Sequence, residues 1–192
     1  MLLFYTGPDQ PLGVQKSPEK SLGGFISSSI VPNSQLNNLY STLTKSDVDN
    51  NYSVIRILAL TNITNSPITG ITIYPVLPVG SYIDIQLAVV LPFLDSCSNP
   101  NFERLSSDTS LPYYADFQDY TQSSPLVYST PLAAGASLGL FILRKINLSN
   151  VPDFSTNNSN CNDNSCCSPV ETIINTYNLS DKNAQFSLSI NW

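Results

Sequence analysis

Tyr52–Leu60 reads YSVIRILAL, Asn62–Gly70 reads NITNSPITG, and Ile71–Tyr74 reads ITIY. The first and third stretches are apolar and β-branched, and the second is dense in Asn, Ser, Pro and Gly. Apolar runs bounded by turn residues read as β-strands, so this block predicts a hairpin in an antiparallel sheet. Outward from it the period is two. Tyr82–Leu91 puts Ile83, Ile85 and Leu87 on one face, with Asp84 and Gln86 opposite. Ser137–Ile146 repeats the pattern with Leu138, Leu140 and Ile142. In the last stretch Phe186, Leu188, Ile190 and Trp192 alternate with Gln185, Ser187, Ser189 and Asn191. Such alternation marks half-buried strands. Leu126–Tyr128 and Glu171–Tyr177 read as weaker strands. Pro75 and Pro78 predict an edge strand or a bulge in the run after Ile71.

Strands without long helices between them predict an all-β fold: a single antiparallel β-sandwich of the Ig-like or jelly-roll-like kind, spanning residues 52–192. Its expected core is Ile57, Ile73, Ile85, Leu87, Leu140, Ile142, Phe186, Leu188 and Ile190. Residues 1–51 read as an extended N-terminal arm with turn signals at Gly7-Pro8, Ser17-Pro18, Gly23-Gly24 and Val31-Pro32. Within it Leu36, Leu39, Tyr40 and Leu43 have helical spacing, and Asn33 or Ser34 is placed to cap a short helix. Two long interruptions stand inside the sandwich. Residues 95–124 carry five acids and the aromatics Tyr113, Tyr114, Phe117 and Tyr120; residues 149–168 are mostly Asn, Ser, Asp and Cys. Loops of that length are uncommon in compact domains unless they serve a function.

The 192 residues are 42% hydrophobic, enough to bury a core, and only 11% charged, so the surface is neutral-polar. The net charge is −6, with 14 acids against 8 scattered bases. Nucleic-acid binding needs clustered Lys and Arg to neutralise phosphates, so no sequence-specific DNA or RNA partner is expected. The apolar run at the N-terminus is too short for a signal h-region, and no segment has the length of a membrane-spanning helix.

No histidine is present, which removes the commonest general base and metal ligand. No nucleophile-elbow, P-loop or dinucleotide motif occurs. Asp47-x-Asp49-x-Asn51 opens like a calcium loop, but Tyr52 stands where glycine is required and Leu58 where the bidentate Glu belongs. Glu103, Asp108, Asp116 and Asp119 are the acids a glycosidase or a carbohydrate-binding loop would draw on. Cys97, Cys161, Cys166 and Cys167 form no CxxC pair; they read as free thiols, with a Cys161 to Cys166 or Cys167 disulfide as the alternative. Neither catalytic residues nor a metal or other cofactor is expected, and the chain reads as a non-enzyme. Five Asn-x-Ser/Thr sequons, at Asn51, Asn62, Asn147, Asn157 and Asn178, are about what chance supplies in so Asn- and Ser-rich a chain.

Four segments carry a family resemblance: Lys20–Ser28 (KSLGGFISS), Leu36–Tyr40 (LNNLY), Tyr52–Asn62 (YSVIRILALTN) and Leu132–Arg144 (LAAGASLGLFILR). In this order they resemble a group of tailed-bacteriophage virion proteins, and the Asn- and Ser-rich, cysteine-poor style is similar to that of crAss-like phages. Departures are Ile55-Arg56-Ile57 and the two insertions. The resemblance implies a virion structural protein, assembled in the host cytoplasm. Its expected place is a homo-oligomeric ring of the neck or tail barrel at the head-to-tail connection, through which DNA passes. Its partners would be identical subunits and other neck or tail proteins. The alternatives are a capsid auxiliary or head-fibre protein, and a carbohydrate-binding module of a tail tip using Tyr113–Tyr120. The residues expected to meet neighbouring subunits are Phe4 and Tyr5 of the arm with Tyr113, Tyr114, Phe117 and Tyr120 of the insertion. Aromatic side chains are enriched at interface centres.

Overall fold

A computed structural model describes residues 1–32, 39–151 and 184–192. Strands take 41% of the described residues and helices 5%, so the fold is all-β and sandwich-like. The strands are β1 (Leu2–Thr6), β2 (Gly24–Ile30), β3 (Val54–Thr61), β4 (Ile71–Val76), β5 (Ile83–Val90), β6 (Phe93–Leu94), β7 (Pro100–Phe102), β8 (Gln118–Asp119), β9 (Leu126–Tyr128), β10 (Ser137–Ile146) and β11 (Ser187–Asn191). Among the described residues one sheet has eight strands in the order β6-β7-β2-β1-β3-β10-β5-β8 and the other three, β11-β4-β9. All pairings are antiparallel.

The block that decides the fold class is two strands, but not a hairpin. Both edges of β3 are taken, by β1 and β10, while β4 lies in the opposite sheet. The connection between them is a corner of the sandwich, held by Asn62. That side chain is fully buried; its Nδ2 donates to the carbonyls of Ser66, Leu132 and Ala133 at 2.8, 2.9 and 3.2 Å, and its Oδ1 accepts from Thr64 N and Oγ1. Ile68 then bridges Leu132. The turn residues are therefore used to pin one long loop to another. β4 is the middle strand of its sheet, not an edge. Pro75 is tolerated there because β9 reaches only Ile71–Ile73, leaving Pro75 with a partner on one side alone.

The expected N-terminal arm is also corrected. Residues 1–51 supply β1, which lies between β2 and β3 inside the large sheet, and β2 beside it. Of the expected short helix, Asn33, Ser34 and Leu36 lie outside the described residues, and Leu39 and Tyr40 form bends. A helix, α1, does form at Lys45–Asp49. Thr44 caps it, its side chain accepting from Asp47 N while the Asp47 carboxylate accepts from Thr44 N. Asp47, read as the start of a calcium-like loop, is thus a capping residue. Glu171–Tyr177 lies outside the described residues.

The large sheet buries both its faces. One packs on the small sheet: Leu58 and Leu60 of β3, Leu138, Leu140 and Ile142 of β10, and Ile83, Ile85 and Leu87 of β5 meet Ile71 and Ile73 of β4. The other holds Ile55, Ile57 and Ala59 of β3 with Phe141 and Leu143 of β10, Ile26 of β2 and Phe102 of β7. This second core exists because the sheet curls. β7 and β10 are four places apart in strand order, ~19 Å in a flat sheet at ~4.8 Å per strand. Yet the Phe102 and Phe141 rings meet edge to face at 6.3 Å between centroids. Gly139 on β10 makes room for that approach, since a Cβ there would lie 2.6 Å from Phe102 Cε1. Of the nine expected core residues, the six on β3, β4, β5 and β10 are buried, whereas Phe186, Leu188 and Ile190 are only partly so. Among the described residues β11 is an edge strand, and Trp192 beyond it is 60% exposed.

Candidate functional site

The insertion at 95–124 is stitched into the large sheet at both ends. β7 pairs with β2 and β6, and β8 pairs with β5 at the far edge. This placement divides the expected aromatic cluster. Phe117 packs on the second core and Tyr120 on the first. Tyr114 lies edge-on against Phe141 at 6.3 Å and keeps 45% of its surface in solvent, and Tyr113 is fully exposed. Of the two residues named from the N-terminal segment, Tyr5 is buried in the first core and Phe4 packs on the second. The interface assignment of Tyr5 is corrected: β1 is an interior strand, so its two faces look into the two cores.

Sequence periodicity missed the apolar rim beside Tyr114. Leu91, Phe93 and Leu94 are 64%, 53% and 64% exposed. Leu91 and Phe93 join Val90, Phe102, Glu103 and Tyr114 around an open cleft of about 190 Å³. Burial, and then the Glu103 carboxylate, push the Tyr114 phenol up to about 12. The signal in the sequence was the run Val89-Val90-Leu91-Pro92-Phe93-Leu94, which continues past the alternating part of β5.

The acids of the insertion are dispersed. Glu103 lines the apolar cleft, Asp108 pairs with Arg56 at 3.2 Å, and Asp116 accepts from Gln118 Nε2 at 2.7 Å. Asp119 lines a second, larger opening of about 480 Å³ with Asp84, Tyr120, Thr121 and Gln122, walled by Pro75, Leu77 and Ile85. Asp84 Oδ1 there accepts from Asn147 Nδ2 at 3.0 Å. Asp95 organises a tight turn: its Oδ1 accepts from the main-chain N–H groups of Cys97 and Asn99, both at 2.8 Å, and these bonds, that of Asn99 foremost, lower its pKa. Cys97 is a free, exposed thiol; Cys161, Cys166 and Cys167 lie outside the described residues. Among the described residues no group of three or more His, Cys, Asp or Glu side chains is placed to hold a metal ion, and no helix is long and apolar enough to cross a membrane.

A second group also escaped the sequence reading. Arg56 on β3 and Arg144 on β10 are 2% and 4% exposed. Tyr40 lies across both, its ring centroid 5.2 Å from one guanidinium carbon and 4.7 Å from the other. Burial raises the Tyr40 phenol far above the usual tyrosine range, against the pull of the two guanidiniums. A lone arginine inside YSVIRILAL was the available signal, because a charge within an apolar strand needs partners from elsewhere in the chain.

Comparison with protein-family models, curated proteins and solved structures finds no match to this chain.

Proposed function

We propose that this chain is a virion structural protein of a tailed bacteriophage, a subunit that associates with copies of itself in a ring of the neck or tail barrel. What supports the reading, beside the resemblance of four short segments, is the apolar rim of Leu91, Phe93, Leu94 and Tyr114. Large apolar side chains grouped in one exposed place mark interaction surfaces, since hydration of that surface is a standing cost that a partner removes. Among the described residues β6 is a terminal strand of the large sheet, and the rim lies beside it. A contact of this kind is heterologous: the rim of one subunit meets a different surface of the next, and repetition closes a ring when the rotation permits. The acidic balance, −6, suits a ring around DNA, because a lumen without clustered bases lets the duplex slide.

The test is sedimentation and electron microscopy of the purified protein, alone and in particles. The expected result is a cyclic assembly that a Leu91→Ser, Phe93→Ser double variant loses while staying folded. A monomer at every concentration, together with normal incorporation of that variant into particles, would overturn the reading. The opening lined by Asp84, Asp119, Gln122 and Tyr120 favours one alternative, a carbohydrate-binding module, because hydrogen-bond acceptors beside an aromatic ring suit a sugar. Glycan binding by the isolated protein, abolished by Asp119→Ala, would decide for it.

A further inference from the structure

Arg56 stands where a leucine would fit. It lies opposite Ile142 in the β3–β10 pairing, and Leu58 and Leu60 follow it on the same buried face. A buried guanidinium keeps its charge and presents five N–H groups that need acceptors. Nε donates to Leu39 O at 2.8 Å, Nη1 to Ile55 O at 2.6 Å, and Nη2 to Asp108 Oδ2 at 3.2 Å. Leu39 and Asp108 belong to two surface segments far apart in sequence: the strap at 39–43, which plugs the first core with Leu39 and Leu43, and the loop at 105–117. The loop is tied down at the same point, since Ile55 N donates to Asp108 O at 2.7 Å. Further ties hold the strap. Arg144 Nη1 donates to Ser41 O at 2.8 Å, and the Tyr40 hydroxyl donates to Ile142 O at 2.6 Å.

We propose that Arg56 is a latch shared by these two segments, so that lifting the 105–117 loop loosens the 39–43 strap, and the reverse. The carboxylate of Asp108 is what balances one of two adjacent buried positive charges. Once it leaves, Arg56 and Arg144 repel each other under low-dielectric conditions. The guanidinium then gains by moving toward water, and that movement withdraws the Nε–H from Leu39 O and the cation from the Tyr40 ring. The loop carries Tyr114, a member of the proposed contact rim. A neighbour that draws on this loop would therefore release the strap as well; this last step, unlike the latch itself, rests on the proposed assembly role.

The test uses the full-length chain. Asp108→Ala removes the loop's carboxylate from a site whose side chain is 42% exposed, so the fold should survive. Tyr40 nitration by tetranitromethane, read by peptide mass spectrometry, reports release of the strap. The expected result is nitration at least fivefold faster than in wild type. Asp116→Ala, on the same loop but bonded to Gln118, should leave the rate within twofold. In the reverse direction, Tyr40→Ala should speed hydrogen exchange in the 106–111 peptide at least threefold. Unchanged Tyr40 nitration in Asp108→Ala, or unchanged exchange in Tyr40→Ala, would overturn the latch. Loss of particle assembly with nitration unchanged would remove the latch and leave the assembly reading standing. Faster nitration in a protein that never self-associates would do the opposite.

Discussion

Gly139→Ala tests whether the large sheet curls onto itself. The new methyl carbon would lie 2.6 and 2.8 Å from Cε1 and Cδ1 of Phe102 and 2.9 Å from Cε2 of Phe141. Both rings are fully buried and meet edge to face, so the methyl crowds a packed contact. Overpacking of this kind costs ~1–3 kcal/mol. The smaller conformational entropy of an unfolded chain with Ala in place of Gly offsets ~0.4–1 kcal/mol of that. The net loss should lie between ~0 and ~2.6 kcal/mol, centred near ~1.3 kcal/mol, a central fall of roughly 3–5 °C in Tm for a domain of this size. Urea unfolding should show a lower midpoint with an unchanged slope, because the surface exposed on unfolding is the same. Shortening the opposing ring supplies the decisive comparison. Phe102→Leu alone destabilises, but in the double variant the methyl occupies vacated space, so the two losses should fall short of additive by ~1 kcal/mol. A double variant whose losses simply add would mean that β7 does not lie over β10.

Further expectations follow from the same packing. Leu140→Ala, on an interior strand, should cost ~2–5 kcal/mol, while Leu188→Ala on the β11 edge should cost ~1–2 kcal/mol, in line with its partial burial; equal losses in chemical denaturation would show that β11 is as deeply packed as β10. Asn62→Ala strips partners from buried carbonyls at the sheet corner and should cost ~2–4 kcal/mol. Tyr114 should ionise at about 12, above the ordinary tyrosine value of ~10. Because the folded value is raised, the stability this group contributes is present below pH ~10 and is lost as pH rises toward 12. The phenolate absorbance of wild type minus that of Tyr114→Phe should therefore rise near 12, and a step near 10 would count against the burial of this phenol and its Glu103 contact.

Strand existence was legible in single residues. Ile83, Ile85 and Leu87, or Leu138, Leu140 and Ile142, alternate because successive side chains of a strand point to opposite faces, and that rule is local. The observed β5 and β10 match the sequence reading closely, and the all-β class followed from it. Alternation records which face is buried, however, and not which strand lies alongside. Pairing partners are chosen by backbone groups that every residue carries, so the chain could not announce that β3 and β4 belong to different sheets, or that Leu2–Thr6 enters the middle of the larger one. The same limit applies to the surface. Phe117 and Tyr114 are similar aromatics three residues apart, yet one packs on the second core and the other borders an open cleft, because β8 anchors the chain at one edge of the sheet while the segment before it runs over Phe141. The buried arginines make the point most sharply. Sequence alone established that Arg56 and Arg144 are charges at strand positions. Only the closed structure determined that Asp108, the Leu39 and Ser41 carbonyls and the Tyr40 ring converge on them, and an ion inside a sandwich is tolerable only when partners from distant parts of the chain arrive together.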